Sequence, residues 1–326
     1  MARVFSGIQP SGDLHLGNLL GAILNWTRMQ HLDDSIFCIV DLHALTLRPE
    51  PERLHADTVR LAQTLIAIGL DPAVCTLFVQ SHVTQHVELS WIMECTASFG
   101  ELNRMTQFKD KSSRADFISA GLFTYPTLQA ADILLYDTDL VPVGDDQRQH
   151  VELTRDLAER FNSRYGDTFV VPEHVIPPAG ARVMDLQAPD AKMSKSTGEA
   201  PGLIWIHDDP AVIEKKFKRA VTDSDGEVRF DLADKPGVSN LLSILGAATD
   251  ADPESLAEKY HQYGPLKADA AAAVIALLEP IQARFAQLQS DPDETRRLLA
   301  LGAEKARAIA VPVAERVRTA VGLLPA

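Results

Sequence analysis

Residues 36–40 read Ile-Phe-Cys-Ile-Val, an apolar run without alternation that lies between two longer helical patterns. A strand with one face in water alternates apolar and polar residues, whereas a strand covered on both faces does not. Short β-rich runs also occur at residues 3–8 and 74–80, and helical patterns span about residues 15–30 and 51–69. Strands that alternate with helices in this way predict a doubly wound parallel sheet.

The same alternation returns later in the chain, after a polar and charged stretch at residues 101–119 that is typical of an excursion from a sheet. A helix is predicted at about residues 126–136, a short strand near 140–143 and a helix at about 146–162. A proline-rich segment at residues 172–180 predicts a loop or a strand boundary. The predicted fold class is α/β, a Rossmann-like doubly wound parallel sheet with a helical C-terminal domain.

Strand-like runs stop after about residue 202, and only helical patterns follow, at about residues 209–220, 239–246 and 267–289 and from about 292. We therefore predict a first domain over residues 1–204, with an insertion at about 101–125 and a lysine-containing loop at about 190–200. A helical domain is predicted over residues 205–295. Residues 296–326 are predicted to form a C-terminal helix that packs back on the first domain.

The composition is that of an ordinary globular protein, with 46% hydrophobic and 23% charged residues. The net charge of −14 argues against a protein that coats nucleic acid, because a basic face dominates such binding. Basic residues are nevertheless concentrated at 214–219 and 296–326. These residues either form patches for a polyanion or lie on solvated helix faces.

The chain shows no signal-peptide pattern, and no run approaches a membrane span, so we expect no membrane partner. Cys38, Cys75 and Cys95 are scattered and odd in number, which predicts buried thiols in a reducing compartment. The predicted location is therefore cytoplasmic. His82 and His86 have the spacing of helical metal ligands, but a third ligand is not evident, and we expect no protein-held metal.

The first predicted turn, residues 7–18, reads Gly-Ile-Gln-Pro-Ser-Gly-Asp-Leu-His-Leu-Gly-Asn. It lacks the Lys and Ser/Thr of a P-loop and the glycine spacing of a dinucleotide fold. His15 and Asn18 lie three residues apart at a helix N-terminus, where backbone N–H groups favour phosphate, and both can donate to its oxygens. Gly17 leaves room for a flat purine. The alternative is an ordinary turn with a capping asparagine.

A second candidate site is the segment Ala-Lys-Met-Ser-Lys-Ser-Thr-Gly at residues 191–198. Its lysines, Lys192 and Lys195, predict a cationic clamp for a triphosphate whose charge is redistributed during reaction.

Together, the two segments resemble the signatures of the class I aminoacyl-tRNA synthetases. His15 to Asn18 is similar to the HIGH motif with its last histidine replaced by asparagine, and Lys192 to Ser196 is a complete KMSKS motif. Further strings narrow the resemblance to the bacterial tryptophanyl-tRNA synthetases over essentially the whole chain. They are Gly-Ile-Gln-Pro-Ser-Gly at 7–12, Asp-Leu-His-Ala at 41–44, Met-Thr-Gln-Phe-Lys at 105–109, Ala-Ala-Asp-Ile-Leu-Leu-Tyr at 130–136, Val-Gly-Asp-Asp-Gln at 143–147, Val-Thr-Asp-Ser at 221–224 and Lys-Pro-Gly at 235–237.

The resemblance implies an ATP site and a tryptophan site. The residues implied to hold ATP are Gln9, Pro10, Ser11, Gly17, Asn18, Gly144, Asp145, Asp146, Val183, Lys192, Met193, Ser194, Lys195 and Ser196. Those implied to act in catalysis are His15, Asn18, Lys111, Lys192 and Lys195. In the tryptophan site, Asp132 accepts the indole N–H, and the ammonium is held by Tyr125, Gln107 and Gln147. The indole walls are Phe5, Val40, Val141 and Val143, with His43 nearby.

Asp132 also stands out on its own, because a carboxylate beside Ile133, Leu134 and Leu135 must find polar company or remain on a helix surface. We further predict that Gln129, one helical turn earlier, donates its amide to Asp132 and orients it. The alternative for Gln129 is an amide that points into a solvated gap.

The implied reaction is the activation of L-tryptophan by ATP, with Mg²⁺ carried on ATP, followed by transfer to tRNA(Trp). The resemblance further implies a homodimer and an anticodon-binding role for residues 205–295. Three alternatives remain at this point: a tyrosyl-tRNA synthetase, a small-molecule nucleotidyltransferase, and a non-aminoacylating paralogue that binds tryptophan or protein.

Overall fold

The computed structural model describes residues 1–113, 117–144, 147–175, 182–194 and 201–324, without the side chain of residue 111. Five strands in this part of the chain form one sheet in the order β3-β2-β1-β4-β5, and every neighbouring pair is parallel. The strands are β1 (Arg3–Ile8), β2 (Asp34–Ile39), β3 (Thr76–Val79), β4 (Leu140–Pro142) and β5 (Glu173–Val175). The predicted doubly wound parallel sheet is confirmed.

Helices make up most of the remaining described chain. They are α1 (Leu16–Asn18), which continues through a π-helical turn at Leu19–Ile23 into α2 (Leu24–Met29), then α3 (Asp41–Ala44), α4 (Pro51–Ile68), α5 (Gln85–Thr96), α6 (Phe99–Arg104), α7 (Thr106–Ser112), α8 (Ala120–Leu134), α9 (Arg148–Tyr165), α10 (Pro210–Lys218), α11 (Pro236–Thr249), α12 (Pro253–Ala257), α13 (Tyr263–Ser290) and α14 (Pro292–Ala320).

Helices cover both faces of the sheet, which explains the apolar run in β2. Phe37 and Ile39 pack into a hydrophobic cluster with α4, α11 and α13. Ile36 and Cys38 face the opposite side and pack into a second cluster with α5, α8 and α9. Because successive side chains of a strand alternate between faces, both sets must be apolar when both faces are buried.

The largest departure from the predicted elements lies before β4. The stretch expected to be an excursion contains α6 and α7, and α8 begins at Ala120 rather than at Pro126. The hydroxyl of Ser119 accepts a hydrogen bond from the backbone N–H of Leu122 at 3.1 Å and caps α8. Proline favours the first turn of a helix, so the sequence suggested a start at Pro126, but tertiary packing holds that proline inside α8.

The last helix, α14, packs along the edge strand β3 and against α5. A Cβ atom added to Gly302 would lie 1.7 Å from the backbone oxygen of Leu77, so only glycine allows this approach. The ammonium of Lys305 donates to the backbone oxygens of Pro72 and Ala73 at 2.6 and 2.9 Å. These contacts cover a strand edge that would otherwise present unpaired backbone groups.

Helix α13 contains an 18-residue window of mean hydropathy 1.2, which by length and composition alone could cross a bilayer. The alanine-rich helix packs instead against α4, α10 and α11. The prediction of buried thiols holds for Cys38 and Cys75 and is wrong for Cys95. Cys95 is exposed because α5 turns it to the same outer face as Trp91.

Candidate functional site

The turn after β1 enters α1 through a reciprocal cap formed by His15 and Asn18. The backbone N–H of Asn18 donates to Nδ1 of His15 at 3.2 Å, and the backbone N–H of His15 donates to Oδ1 of Asn18 at 3.2 Å. Because Nδ1 accepts a hydrogen bond, neutral His15 carries its ring proton on Nε2. His15 at the N-cap position and Asn18 at the third helical position therefore form the kind of helix cap that the sequence left as an alternative to a phosphate site.

Gly17 lies where the two signature segments approach each other. A Cβ atom there would lie 3.0 Å from Nδ1 of His15 and 3.4 Å from Cβ of Met193. A side chain at this position would therefore crowd His15, and the expectation that Gly17 leaves room for a purine stays a prediction. The same contact brings the two signature segments together, since Met193 belongs to the second one.

The second segment begins on a short hairpin. Met184 and Lys192 form an antiparallel bridge, and the backbone N–H of Met193 donates to the oxygen of Val183 at 3.1 Å. Val183 and Met193 are buried, whereas Lys192 is exposed. The side chain of Asn240 on α11 pairs with the backbone of Met184 through two hydrogen bonds, at 2.8 and 2.9 Å. Helix α11 therefore holds the base of the lysine-containing segment.

Several predicted residues lie outside the described part of the chain. They are Asp145, Asp146, Lys195 and Ser196, together with the side chain of Lys111. Gly144 is described and exposed after β4, and its backbone oxygen accepts from the N–H of Gln147 at 2.9 Å.

A cavity of about 270 Å³ opens at the carboxyl ends of β1 and β4. The chain order reverses between these two strands, which is where open α/β sheets bind ligands. All ten side chains predicted for the amino-acid site line this cavity: Phe5, Val40, His43, Gln107, Tyr125, Gln129, Asp132, Val141, Val143 and Gln147. Gln9, assigned to ATP, lines it as well, and so do six residues that were not predicted for the site: Ser6, Gly7, Trp26, Thr46, Ile133 and Pro142.

Asp132 is the centre of a buried polar network. Its Oδ1 atom accepts from Nε2 of Gln80 at 2.6 Å and contacts Nδ1 of His86 at 2.7 Å, and its Oδ2 atom contacts Nε2 of His43 at 2.7 Å. Nε2 of His86 lies 2.7 Å from the hydroxyl of Tyr136. Burial alone would raise the pKa of Asp132, but the nearby His43 and the hydrogen bonds from both histidines outweigh it and lower the pKa to about 2. The carboxylate is therefore ionised and can only accept.

The prediction that Gln129 orients Asp132 is wrong. Nε2 of Gln129 lies 3.4 Å from Oε1 of Gln147, and the carboxylate takes its donors from Gln80, His43 and His86. The sequence held a signal for His86, since its spacing from His82 drew attention, but as a metal ligand. Gln80 directly follows β3, and nothing local in the sequence singles it out.

The cavity is also lined by Tyr125, whose hydroxyl lies 2.8 Å from Nε2 of His150. Burial raises the pKa of Tyr125 to about 12, so the hydroxyl stays protonated. Gln107 on α7 and Gln147 before α9 line the cavity as well. The cavity therefore combines apolar walls with an ionised acceptor and neutral polar groups, a lining suited to an amphipathic small molecule.

Comparison with known proteins places the chain in a family. The family model described as tRNA synthetases class I (W and Y) matches residues 1–279. The tryptophan–tRNA ligase of Mycobacterium leprae is 51% identical over 333 residues, covering 99% of this chain and 97% of that protein. The tryptophanyl-tRNA synthetase structure from Mycoplasma pneumoniae superposes with a TM-score of 0.90 at 36% identity, covering 99% and 98% of the two chains. The one from Campylobacter jejuni, complexed with ADP and tryptophan, gives 0.86 at 34% identity, covering 98% and 100%.

The two signature segments meet at Gly17, and the cavity beside them lies at the reversal of the sheet. With the family match over most of its length, the chain belongs to the class I tRNA synthetases of the tryptophan and tyrosine group and is an aminoacyl-tRNA synthetase, a ligase.

Proposed function

We propose that this protein is a tryptophan–tRNA ligase, which activates L-tryptophan with ATP and transfers it to tRNA(Trp). The observation that carries the proposal is the cavity at the sheet reversal, where the ionised Asp132 faces an apolar space. The names of relatives about 51% identical over nearly the full chain support the choice of tryptophan.

In the proposed complex, the indole ring lies among Phe5, Val40, Val141 and Val143, and its N–H donates to Asp132. Tyr125, Gln107 and Gln147 hold the ammonium end. The cavity supports this assignment because its lining combines an ionised acceptor, neutral polar groups and apolar side chains. Gln129 is assigned to the wall of the site and not to the orientation of Asp132.

The proposed ATP site uses the first turn and the lysine-containing segment. Its residues are Gln9, Pro10, Ser11, Gly17, Asn18, Gly144, Asp145, Asp146, Val183 and Lys192 through Ser196, with His15 and Lys111 acting beside them. The contact between Gly17 and Met193 supports it, because it joins the two segments at the N-terminus of α1. Mg²⁺ is proposed to arrive on ATP. The described residues contain no group of three or more metal-ligating side chains placed to hold an ion.

The proposed chemistry needs no acid–base pair in its first step. The substrate carboxylate attacks the α-phosphorus of ATP, the bond to the β-phosphate oxygen breaks, and pyrophosphate leaves with that oxygen. In the second step the 2′-hydroxyl of the terminal ribose attacks the activated carbonyl, and AMP leaves. Positioning and the neutralisation of phosphate charge by lysines and backbone N–H groups would supply most of the acceleration.

Residues 205–295 are proposed to bind the anticodon of tRNA, with residues 296–326 as the helix that returns to the first domain. A groove between α10 and α13 supports the role in tRNA binding, because it carries two lysines, Lys218 and Lys267, against one carboxylate, Glu214, over a floor of alanines. Burial lowers the pKa of Lys267, and a phosphate neighbour would restore it. The acidic chain would thus meet tRNA through local basic patches.

A homodimer is also part of the proposal. Val87, Trp91 and Phe99 are 57%, 66% and 74% exposed on α5 and α6, and large exposed apolar side chains of this kind mark interaction surfaces. We expect Trp91→Glu to convert a dimer into monomers in sedimentation velocity, and a parent that sediments as a monomer would refute the proposed dimer.

The cytoplasm is the proposed location, consistent with three free cysteines.

Pyrophosphate exchange with each amino acid supplied separately tests the function. We expect Mg²⁺-dependent exchange with tryptophan and a kcat/KM for tyrosine at least about a hundredfold lower, since the site loses the N–H it was built to pair. Equal or faster exchange with tyrosine would assign the protein to the other branch of the family, the tyrosyl-tRNA synthetases. Exchange with no amino acid would identify a non-aminoacylating paralogue.

A further inference from the structure

We propose that His86 and Gln80 are positioning residues that occupy one oxygen of Asp132 completely and leave a single acceptor position, on the other oxygen, for a ring N–H in the cavity. The inference rests on the proposed function and deepens it, because it states which ligand feature the site requires and which side chains behind the cavity impose the requirement.

The two carboxylate oxygens of Asp132 have different surroundings. Oδ1 is contacted by Nε2 of Gln80 at 2.6 Å and by Nδ1 of His86 at 2.7 Å, and neither residue lines the cavity. Oδ2 is contacted by Nε2 of His43 at 2.7 Å, and His43 does line the cavity. A carboxylate accepts about four hydrogen bonds, two at each oxygen, so the partners in the described part of the chain leave one position on Oδ2.

The chemistry of the network determines where its protons lie. An ionised Asp132 only accepts, so His86 must carry a proton on Nδ1 and His43 a proton on Nε2. Nε2 of neutral His86 can then accept from the hydroxyl of Tyr136, which lies 2.7 Å away. Burial raises the pKa of Tyr136, so its hydroxyl keeps the proton that it donates. Tyr136 thereby stabilises the tautomer of His86 that Asp132 needs.

The amide of Gln80 is oriented by the backbone. The N–H of Leu42 donates to Oε1 of Gln80 at 3.1 Å, so the NH₂ group of Gln80 must point to Asp132. Leu42 belongs to α3, the helix that also carries His43. Gln80 and His86 are fully buried, so neither side chain can exchange these partners for water. A carboxylate held this way cannot turn to suit a ligand that lacks a donor.

The test compares two ligands of nearly the same shape, tryptophan and the analogue with sulfur in place of the indole N–H. The ratio of their kcat/KM values is measured by pyrophosphate exchange, with binding by calorimetry as a second readout. We expect His86→Leu to lower the ratio about tenfold or more, since it removes a hydrogen bond to a charged group. His86→Asn places an amide N–H where Nδ1 was and should restore most of the ratio. Tyr136→Phe should fall between them.

Gln63→Leu is the matched control. Gln63 is also a buried amide, which donates to the oxygen of Leu288 and the hydroxyl of Thr295 far along the chain, and its loss should leave the ratio at the parent value. Should His86→Leu not fold, Gln80→Leu provides the same comparison, because it removes the other donor to Oδ1.

The inference is overturned if these variants lower kcat/KM for both ligands by the same factor, or if His86→Asn is no better than His86→Leu. Its failure can be told from failure of the proposed function. A parent active with tryptophan whose ratio is unmoved by the variants refutes only the positioning role, whereas a parent inactive with tryptophan refutes the function and the inference with it.

Discussion

Two buried charged groups, Asp132 in the sheet domain and Lys235 before α11, differ in their hydrogen-bond partners. The ammonium of Lys235 donates to Oδ1 of Asp223 at 3.0 Å, to Oδ2 of Asp225 at 2.9 Å and to the hydroxyl of Tyr263 at 3.3 Å. An ammonium has three protons to donate, so the ammonium of Lys235 is saturated, although Oδ2 of Asp223 is buried without a hydrogen-bond partner in the described part of the chain. Asp132 has three donors for about four acceptor positions, and it borders a cavity.

The partners differ in charge as well as in number. Burial alone would lower the pKa of Lys235, but hydrogen bonds to two carboxylates outweigh it and raise the pKa. Asp132 has histidine and glutamine donors instead of a lysine or arginine ion pair. The cluster at Lys235 holds the segment at Asp223 against α11 and α13. Asp132 differs from Asp223 because it lines a cavity, so its remaining acceptor position is accessible to a ligand.

The largest effect is expected from Asp132→Asn. It should lower kcat/KM for tryptophan about a hundredfold or more, since a hydrogen bond to a charged group is worth about 1.5–3 kcal/mol and the donors left unpaired add to the loss. Pyrophosphate exchange measures the effect. Asp156→Asn, which changes an exposed carboxylate on α9, is the control and should match the parent. An Asp132→Asn enzyme with parental kinetics would show that Asp132 does not recognise the substrate.

Lys235→Met should produce the opposite pattern. The midpoint of thermal unfolding should fall, because Asp223 and Tyr263 lose the group that joins them, while the KM for tryptophan should stay within about twofold, as for sites without shared partners. Lys259→Met, at an exposed lysine, is the control and should change neither quantity. If Lys235→Met raised the KM strongly with no loss of stability, the assignment of a structural role to Lys235 and a binding role to Asp132 would be wrong.

Lowering the pH should reduce the free energy of unfolding of the parent more than that of Asp132→Asn. The pKa of Asp132 is lowered from 3.8 to about 2, so the stability contributed by the ionised group is present above about pH 4 and is lost as the pH falls toward 2. Between about pH 5 and pH 2, the parent should lose about 2 kcal/mol more free energy of unfolding than Asp132→Asn. Urea titrations at several pH values measure this, and equal losses would contradict the assigned ionisation.

The smallest effect is expected at Asn240, through which α11 contacts the hairpin that begins the lysine-containing segment. Asn240→Ala should raise the KM for ATP several-fold and leave tryptophan binding unchanged, because two buried hydrogen bonds of about 0.5–1.5 kcal/mol each hold Met184. Ser239→Ala is the matched control, since the neighbouring hydroxyl accepts from the N–H of Asp231 instead. Equal effects of the two variants on the KM for ATP would make Asn240 a packing residue only.

Much of the fold and site followed from local patterns. The unbroken apolar run in β2 predicted a sheet covered on both faces. The alternation of strand-like and helical sequence patterns located β1, β4 and α4 within a few residues. The cavity residues were predicted from the resemblance to the tryptophanyl-tRNA synthetases. Five of them lie within the strings that carry it: His43, Gln107, Asp132, Val143 and Gln147. Patterns of this kind depend on neighbours in sequence, which is why they can be read without a structure.

Contacts between distant segments were decided only by the tertiary structure. Whether Gln129 or Gln80 donates to Asp132 depends on which helix face turns inward, and Gln80 is 52 residues away. The requirement for glycine at position 302 comes from the backbone of Leu77, which is distant in sequence, whereas position 17 is crowded mainly by the nearby ring of His15. A sequence can show that Asp132 needs polar partners, because burying a charge without them is costly. Which partners it has, and how many acceptor positions they leave, is set by the packing of α3, α5 and α8 around the carboxylate.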